Sequence, residues 1–490
     1  MVDAPDDDER TLHALGYPQE LSRRMSGFSS LALSMSIICV LSGGVTSFHL
    51  GLGGVGGASI GLGWPLGSLF ALTVALTMGQ LASAFPTAGG LYHWASILGG
   101  RGWGWATAWF NLAGLVTVLS AINVGTYRFA VGALGPRAGL GDWALDPWPQ
   151  AAGVALITAT HAAINHMGIR ATTRLTDFSG SLIVAVSAGL AVALLAFAPG
   201  IQPSRLWTFA NYSGTRGHDV WPATENMALL FALGLLLPSY TITGFDAPAH
   251  ASEETRGAAR AVPRGIVRSV ALSGLVGWAL LASVVLAAPD LGEAAARGEG
   301  AFLSIVDGVL PRRLATALTV GIVAAQYLCG LATVTSASRM AFAFARDGGL
   351  PFSSTVRRVS TTHRTPAVAV WTVSIAAVLF AAWTPLYSTI TAVCTILLYV
   401  SYVIPTALGL RAFGTSWTAM GPWSIGRLYR PFAALGVAGC LALIAIGMQP
   451  PNERSTWVLG TLAMFLTITW FGFERKRFPG PPRTDLLGGD

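Results

Sequence analysis

Asp246 is the residue best placed to do chemistry, because it is the one carboxylate well inside an apolar stretch, residues 235–254, LLLPSYTITGFDAPAHASEE. A charge at such a depth is costly, so a carboxylate there is a functional candidate by default. Burial favours its neutral form, which suits a proton carrier. A helix-capping or inter-helix structural carboxylate is the competing reading. Just before it, Thr241-Ile242-Thr243-Gly244 interrupts the apolar run, flanked by Tyr240 and Phe245. Carbonyls left free near Tyr240 suit an ammonium group or a cation. The two aromatic rings could cap a bound solute or stack over a cation. The Thr241 and Thr243 hydroxyls can bond either backbone carbonyls or a solute.

A second interruption, Ser42-Gly43-Gly44-Val45, lies in the first apolar span. The glycine pair lets the chain leave helical geometry at low steric cost. The half-helix that follows would present free N–H groups and positive dipole character, which suits a carboxylate. A glycine pair for close helix packing is the alternative. A helix broken in hydrocarbon leaves backbone groups unpaired at several kcal/mol each, roughly, so breaks persist where they line a cavity or grip a polar ligand. Two broken helices at matching places in two halves of a polytopic chain point to the solute site of a secondary transporter. Asn111 and Gln326, polar groups within other spans, could line that site or act as inter-helix glue.

Such elements need a bilayer, and the composition supplies the case for one. Of the 490 residues 53% are hydrophobic and only 11% charged, too few charges to cover a large soluble protein. The net charge of +7 is spread among short loops, so it does not suggest nucleic acid. The four cysteines all fall in apolar spans, as buried free thiols would. No Cys/His pair has metal spacing, and neither GxSxG nor a P-loop is present, which argues against a membrane enzyme and against a cofactor. A nutrient sensor without turnover would need an effector domain, and the tails are short.

The hydropathy pattern predicts twelve spans: 29–56, 62–84, 103–134, 149–168, 176–198, 226–250, 265–288, 314–344, 366–383, 386–410, 431–449 and 455–473. With both ends inside, 22 of the 30 basic residues fall on the cytoplasmic side, as the positive-inside rule demands. The interrupted spans are the first and sixth. Residues 28–200 and 225–411 therefore read as two five-helix repeats of opposite orientation, with two helices appended over 430–474. Residues 1–27 are expected to be a disordered acidic cytoplasmic tail, and 475–490 a cytoplasmic C-terminal tail. Oligomeric state is not legible.

Three stretches together carry a family resemblance: TITGFDAPAHASEET in the sixth span and its tail, ASAFPTAGGLYHWAS (82–96), and SASRMAFAFARDGGLPF (336–352). With the span pattern, the chain resembles the amino acid–polyamine–organocation superfamily from about Arg24 to Phe473, above all the bacterial and fungal amino acid, GABA and choline permeases. The resemblance implies the inverted-repeat fold of the leucine transporter class in a plasma membrane, a bacterial inner membrane being the expected one. It implies that Ser42, Gly43, Gly44 and Val45 meet a substrate carboxylate, and Tyr240, Thr241 and Ile242 an amino group. Tyr240 resembles an aromatic gate, Asp246 a proton-sensing position, and Arg339, Arg346 and Asp347 a cytoplasmic gate network. The tethered lysine of certain proton-coupled relatives is missing from the fifth span. Coupling would then run through Asp246, through exchange, or through sodium, held by carbonyls near Ile38 and Leu41 and the hydroxyls of Thr335 and Ser336. The implied solute is an amino acid or GABA-like zwitterion, with choline, a polyamine or another organic cation as the alternative.

Overall fold

The computed structural model describes residues 7–384 and 387–482, with the backbone alone at 137, 138, 142 and 388. Among these, helices carry the architecture and no strand forms, the extended contacts being two isolated bridges, Met25 with Thr255 and Phe413 with Trp417. Among the described residues nine helices are long and apolar enough to cross a membrane: Gly27–Gly44, Ser59–Ala84, Arg101–Leu134, Ile169–Phe197, Ala258–Ala287, Arg312–Arg346, Thr389–Ala412, Gly426–Gly447 and Glu453–Arg477. The other three expected spans are helical too, as Pro147–His166, the interrupted Met227–Thr241, and the shorter Ala367–Trp383.

Burial sorts these helices into centre and rim. The apolar windows of Gly27–Gly44 and Arg101–Leu134 are 83% buried inside the protein, against 28% for Gly426–Gly447 and 6% for Glu453–Arg477. The last two helices are therefore peripheral, with Leu435, Leu441, Phe465 and Phe471 exposed as a lipid-facing surface requires. At the centre, Arg101–Leu134 packs on Tyr387–Ala412 and Arg312–Arg346, and Ala258–Ala287 packs on Trp64–Ala84 and Gly27–Ile38. Small residues set these approaches: a Cβ on Gly277 would lie 2.3 Å from the Trp64 ring.

The N-terminal tail corrects the expectation of disorder over 1–27. Residues 1–6 lie outside the described residues, but Asp7–Ala14 is a helix, and Leu12, Leu15, Tyr17 and Leu21 are buried beneath the bundle. Asp8 accepts from the backbone N–H groups of Gly257 (2.6 Å) and Ala258 (3.1 Å), capping the start of helix Ala258–Ala287. Acidic composition hid an apolar stripe that pays its ordering entropy by burial.

Candidate substrate and coupling site

Both interruptions are present, and they touch. Helix Gly27–Ile38 stops at Cys39 (φ 5°, ψ 91°), Val40–Gly44 forms one wide π turn, and a regular helix resumes at Phe48. The break thus starts three residues before the expected Ser42. Leu236–Thr241 ends at Ile242, Gly244 takes a left-handed φ of 77°, and Ala247–His250 is a single helical turn. A Cβ on Gly43 would lie 2.9 Å from the Thr241 Cα, and one on Gly244 would lie 2.3 Å from the Ile37 side chain. Only glycine allows the two broken segments to cross this closely.

Side chains from neighbouring helices satisfy much of the irregular backbone. Gln326 Nε2 donates to the Leu41 carbonyl (3.0 Å), the Cys329 thiol to Ile37 (3.4 Å), and Thr46 Oγ1 to Ser42 (2.9 Å). Thr241 Oγ1 donates to the Leu237 carbonyl and Thr243 Oγ1 to that of Tyr240, each at 2.8 Å, so both hydroxyls serve their own segment. Buried oxygens remain without partners on Gln326 (Oε1), Asn111 (Oδ1) and Ser336 (Oγ). Of the four residues expected around sodium, Ile38 is buried, Leu41 is engaged by Gln326, and Thr335 Oγ1 donates to Asn165 Oδ1 at 2.7 Å. Ser336 is the one with a buried, unpartnered hydroxyl.

Asp246 is fully buried and anchors a network drawn from three elements. Its Oδ1 accepts from the Tyr402 hydroxyl (2.8 Å), and its Oδ2 from Asn111 Nδ2 (3.2 Å). His250 Nε2 lies 3.1 Å from Oδ2. Tyr402 Oη in turn accepts the Gly244 N–H (2.9 Å), and Asn111 Nδ2 also donates to Ser401 Oγ (3.2 Å). The carboxylate therefore braces the second break against helices Arg101–Leu134 and Tyr387–Ala412.

The two faces of the bundle are closed by different chemistry. On the face that carries the N-terminal tail, Arg339 makes a two-point ion pair with Glu254 (2.8 and 3.1 Å), and both side chains are fully buried. Arg346 pairs likewise with Glu253, whose Oε1 also accepts the Ala88 N–H (3.1 Å). Asp347 Oδ2 accepts from Tyr17 (2.8 Å) and Tyr92 (2.9 Å), with His93 Nε2 at 3.0 Å, and the Arg346 guanidinium lies 3.9 Å above the Tyr17 ring. Burial alone would raise the Glu253 carboxyl, but the Arg346 charge and hydrogen bonds hold it below its ordinary value. Burial likewise pushes Asp347 up, and His93, Arg346 and Tyr17 outweigh it.

On the opposite face the closure is a chain of hydroxyls. Tyr240 and Tyr387 are hydrogen-bonded, and Tyr387 donates to Thr46 Oγ1 (2.9 Å). Beyond it lies a cleft of about 220 Å³, open to solvent and lined by Val45, Thr46, Gly125 and Tyr387 together with the half-exposed pair Arg128–Glu299 (3.0 Å). Beside Tyr240 a second, narrow and mostly apolar pocket is lined by Leu236, Thr391 and Thr395.

Sequence reasoning named Asp246, Asn111, Tyr240, Gln326 and Arg339 but missed His250, Tyr402, Tyr387, Glu253, Glu254 and Tyr17. His250 was readable as i+4 from Asp246 on a helix. The others converge from far along the chain, and no local pattern reports them.

The amino acid permease family model matches residues 25–473. The chain is 31% identical to the amino-acid permease BAT1 homolog of Oryza sativa subsp. japonica, over 96% of this chain and 94% of that protein. It is also 31% identical to amino-acid permease BAT1 of Arabidopsis thaliana, over 98% and 97%. It is 26% identical to the GABA-specific permease of Saccharomyces cerevisiae, over 99% and 87%. With the match running through both broken segments and every helix that braces them, this chain belongs to the amino acid permease family, within the amino acid–polyamine–organocation superfamily.

Proposed function

We propose that the protein is a secondary active transporter that moves an amino acid or GABA-like zwitterion across the plasma membrane by alternating access. The observation that carries this reading is the crossing of two interrupted apolar helices at Gly43 and Thr241, deep in the bundle. The zwitterion's carboxylate meets the turn Ser42–Val45 and its ammonium group the end of the second segment at Tyr240–Thr243, with Asn111 and Gln326 at the edge. Twelve spans, two five-helix repeats of opposite orientation and two appended helices complete the arrangement, with both termini cytoplasmic. Arg339 closes the inner side through Glu254, and Tyr240 the outer. A zwitterion is favoured over an organic cation because both Asp246 oxygens already have partners, so no bare carboxylate waits for a cation. Asp246 is the coupling candidate for a proton, with sodium or exchange as the other drives.

Purified protein in liposomes tests the reading. Labelled amino acids and GABA should accumulate or exchange, and excess unlabelled amino acid should compete better than its decarboxylated amine. Binding without any movement across the bilayer would sink the transporter reading.

A further inference from the structure

Asp246 and His250 lie one helical turn apart, both fully buried, and the hydrogens between them can be counted. The Ala88 carbonyl can only accept, so His250 Nδ1, 3.2 Å from it, carries a hydrogen. The other ring nitrogen, Nε2, lies 3.1 Å from Asp246 Oδ2. An ionised carboxylate and a neutral imidazole already protonated at Nδ1 would set two lone pairs against each other there. The contact therefore holds one proton, on Nε2 or on Oδ2, and the pair as a whole is neutral. The other partners do not replace it. Tyr402 donates its one hydroxyl hydrogen to Oδ1, and Asn111 spends its two amide hydrogens on Oδ2 and Ser401.

We propose that this pair is the coupling-ion site: one proton bound between Asp246 and His250, whose loss unlocks the tail-side seal. The inference rests on the transporter reading and names its driving ion. Deprotonation releases one H⁺ to water and leaves a carboxylate facing an imidazole lone pair, so the ring must turn away and abandon Ala88. Ala88 is the relay, because one side of it faces the proton and the other the gate. Its carbonyl accepts from His250, and its N–H donates to Glu253, which Arg346 holds. The titratable neighbours are Tyr402 on helix Tyr387–Ala412 and, toward the tail, the pairs Glu253–Arg346, Glu254–Arg339 and Asp347–His93. Glu253 and Glu254 each have an arginine, and the Arg346 charge also acts on Asp347, so within this group, among the described residues, the Asp246–His250 contact is the one with no fixed positive charge to replace a lost proton.

The test uses full-length protein in liposomes loaded with a pH-sensitive dye, with the labelled amino acid or GABA that the wild type moves fastest as probe. Wild type should carry protons with substrate and accumulate it under an inward-directed proton gradient. His250→Gln keeps hydrogen-bond donors but binds no proton. It should lose gradient-driven accumulation at least tenfold more than it loses substrate exchange, and its pH profile should flatten; Asp246→Asn should do the same. Wild-type transport with no dye signal, or a requirement for sodium, overturns the proton site and leaves the transporter reading standing. Neither transport nor exchange by wild type overturns both. If His250→Gln does not elute as a folded monodisperse species, the wild-type dye signal and Asp246→Asn decide.

Discussion

One methyl group separates the roles of two adjacent glycines. A Cβ on Gly43 would press within 2.9 Å of the Thr241 Cα, a backbone atom that cannot yield without moving the second break. A Cβ on Gly44 would meet the Leu281 side chain at 3.6 Å and the Trp64 ring at 3.7 Å, which is ordinary contact. Gly43→Ala should therefore lose transport at least tenfold more than Gly44→Ala, and should cost about 1–3 kcal/mol of stability by overpacking. Equal losses in uptake assays would mean that the crossing does not govern function. Tyr402 gives a second residue-scale prediction. Tyr402→Phe strands the buried Gly244 N–H and strips one donor from Asp246, at about 1–3 kcal/mol for an unmade buried bond. A fall in thermal stability together with a shifted pH profile of transport is expected, whereas lowered stability with an unmoved profile would make Tyr402 a brace only. The polar punctuation Thr-Ile-Thr-Gly made the second break readable in the sequence. The first break begins at Cys39, which reads as one more apolar residue in an apolar run, so its onset was misplaced.

At the scale of elements, the N-terminal tail is the segment that changes the picture. Its charges read as solvated chain, but Leu12, Leu15, Tyr17 and Leu21 form a buried stripe, and Tyr17 reaches Asp347 at 2.8 Å. That partner lies 330 positions away, which no local periodicity can report. The helices themselves were legible because apolar length announces them, while the ion pairs that close the bundle were not. Glu253 and Asp347 are held below the ordinary carboxylate range in the folded chain. A lowered folded-state value means that their stabilisation is complete above that range and fades as pH falls through the lowered values. Tail docking should therefore persist from neutral pH down to about pH 4 and loosen below it, seen as faster amide exchange over residues 7–25. Exchange in the tail that is already fast at neutral pH would contradict the docking. Arg346→Ala removes the partner of a buried carboxylate and should cost about 3–5 kcal/mol. Arg346→Ala with Glu253→Gln should recover part of that loss.

Across the whole molecule, the two closures differ in what must be broken to open them. The tail face is held by two buried ion pairs, Arg339–Glu254 and Arg346–Glu253, and by the Tyr17–Asp347–His93 cluster. The opposite face is held by the hydroxyl chain of Tyr240, Tyr387 and Thr46, with Arg128–Glu299 half-exposed above it. Neutral hydrogen bonds contribute about 1 kcal/mol each and exposed pairs up to about 1, whereas breaking a buried pair strands two desolvated charges. The substrate-free protein should therefore open first on the face away from the tail. Val45 lines the cleft on that face and is itself buried. As that face opens, Val45→Cys should react with a membrane-impermeant thiol reagent added on that side, while the four native cysteines, none of which lines the cleft, stay unreactive. Saturating substrate should slow the labelling at least severalfold, as the hydroxyl chain closes over the bound solute. Glu254→Gln, which leaves Arg339 without its countercharge, should shift the balance so that Val45→Cys labels more slowly from this side and gains reactivity from the tail side. Labelling from the tail side alone in the unaltered chain, before Glu254 is touched, would reverse the assignment of which seal is the stronger.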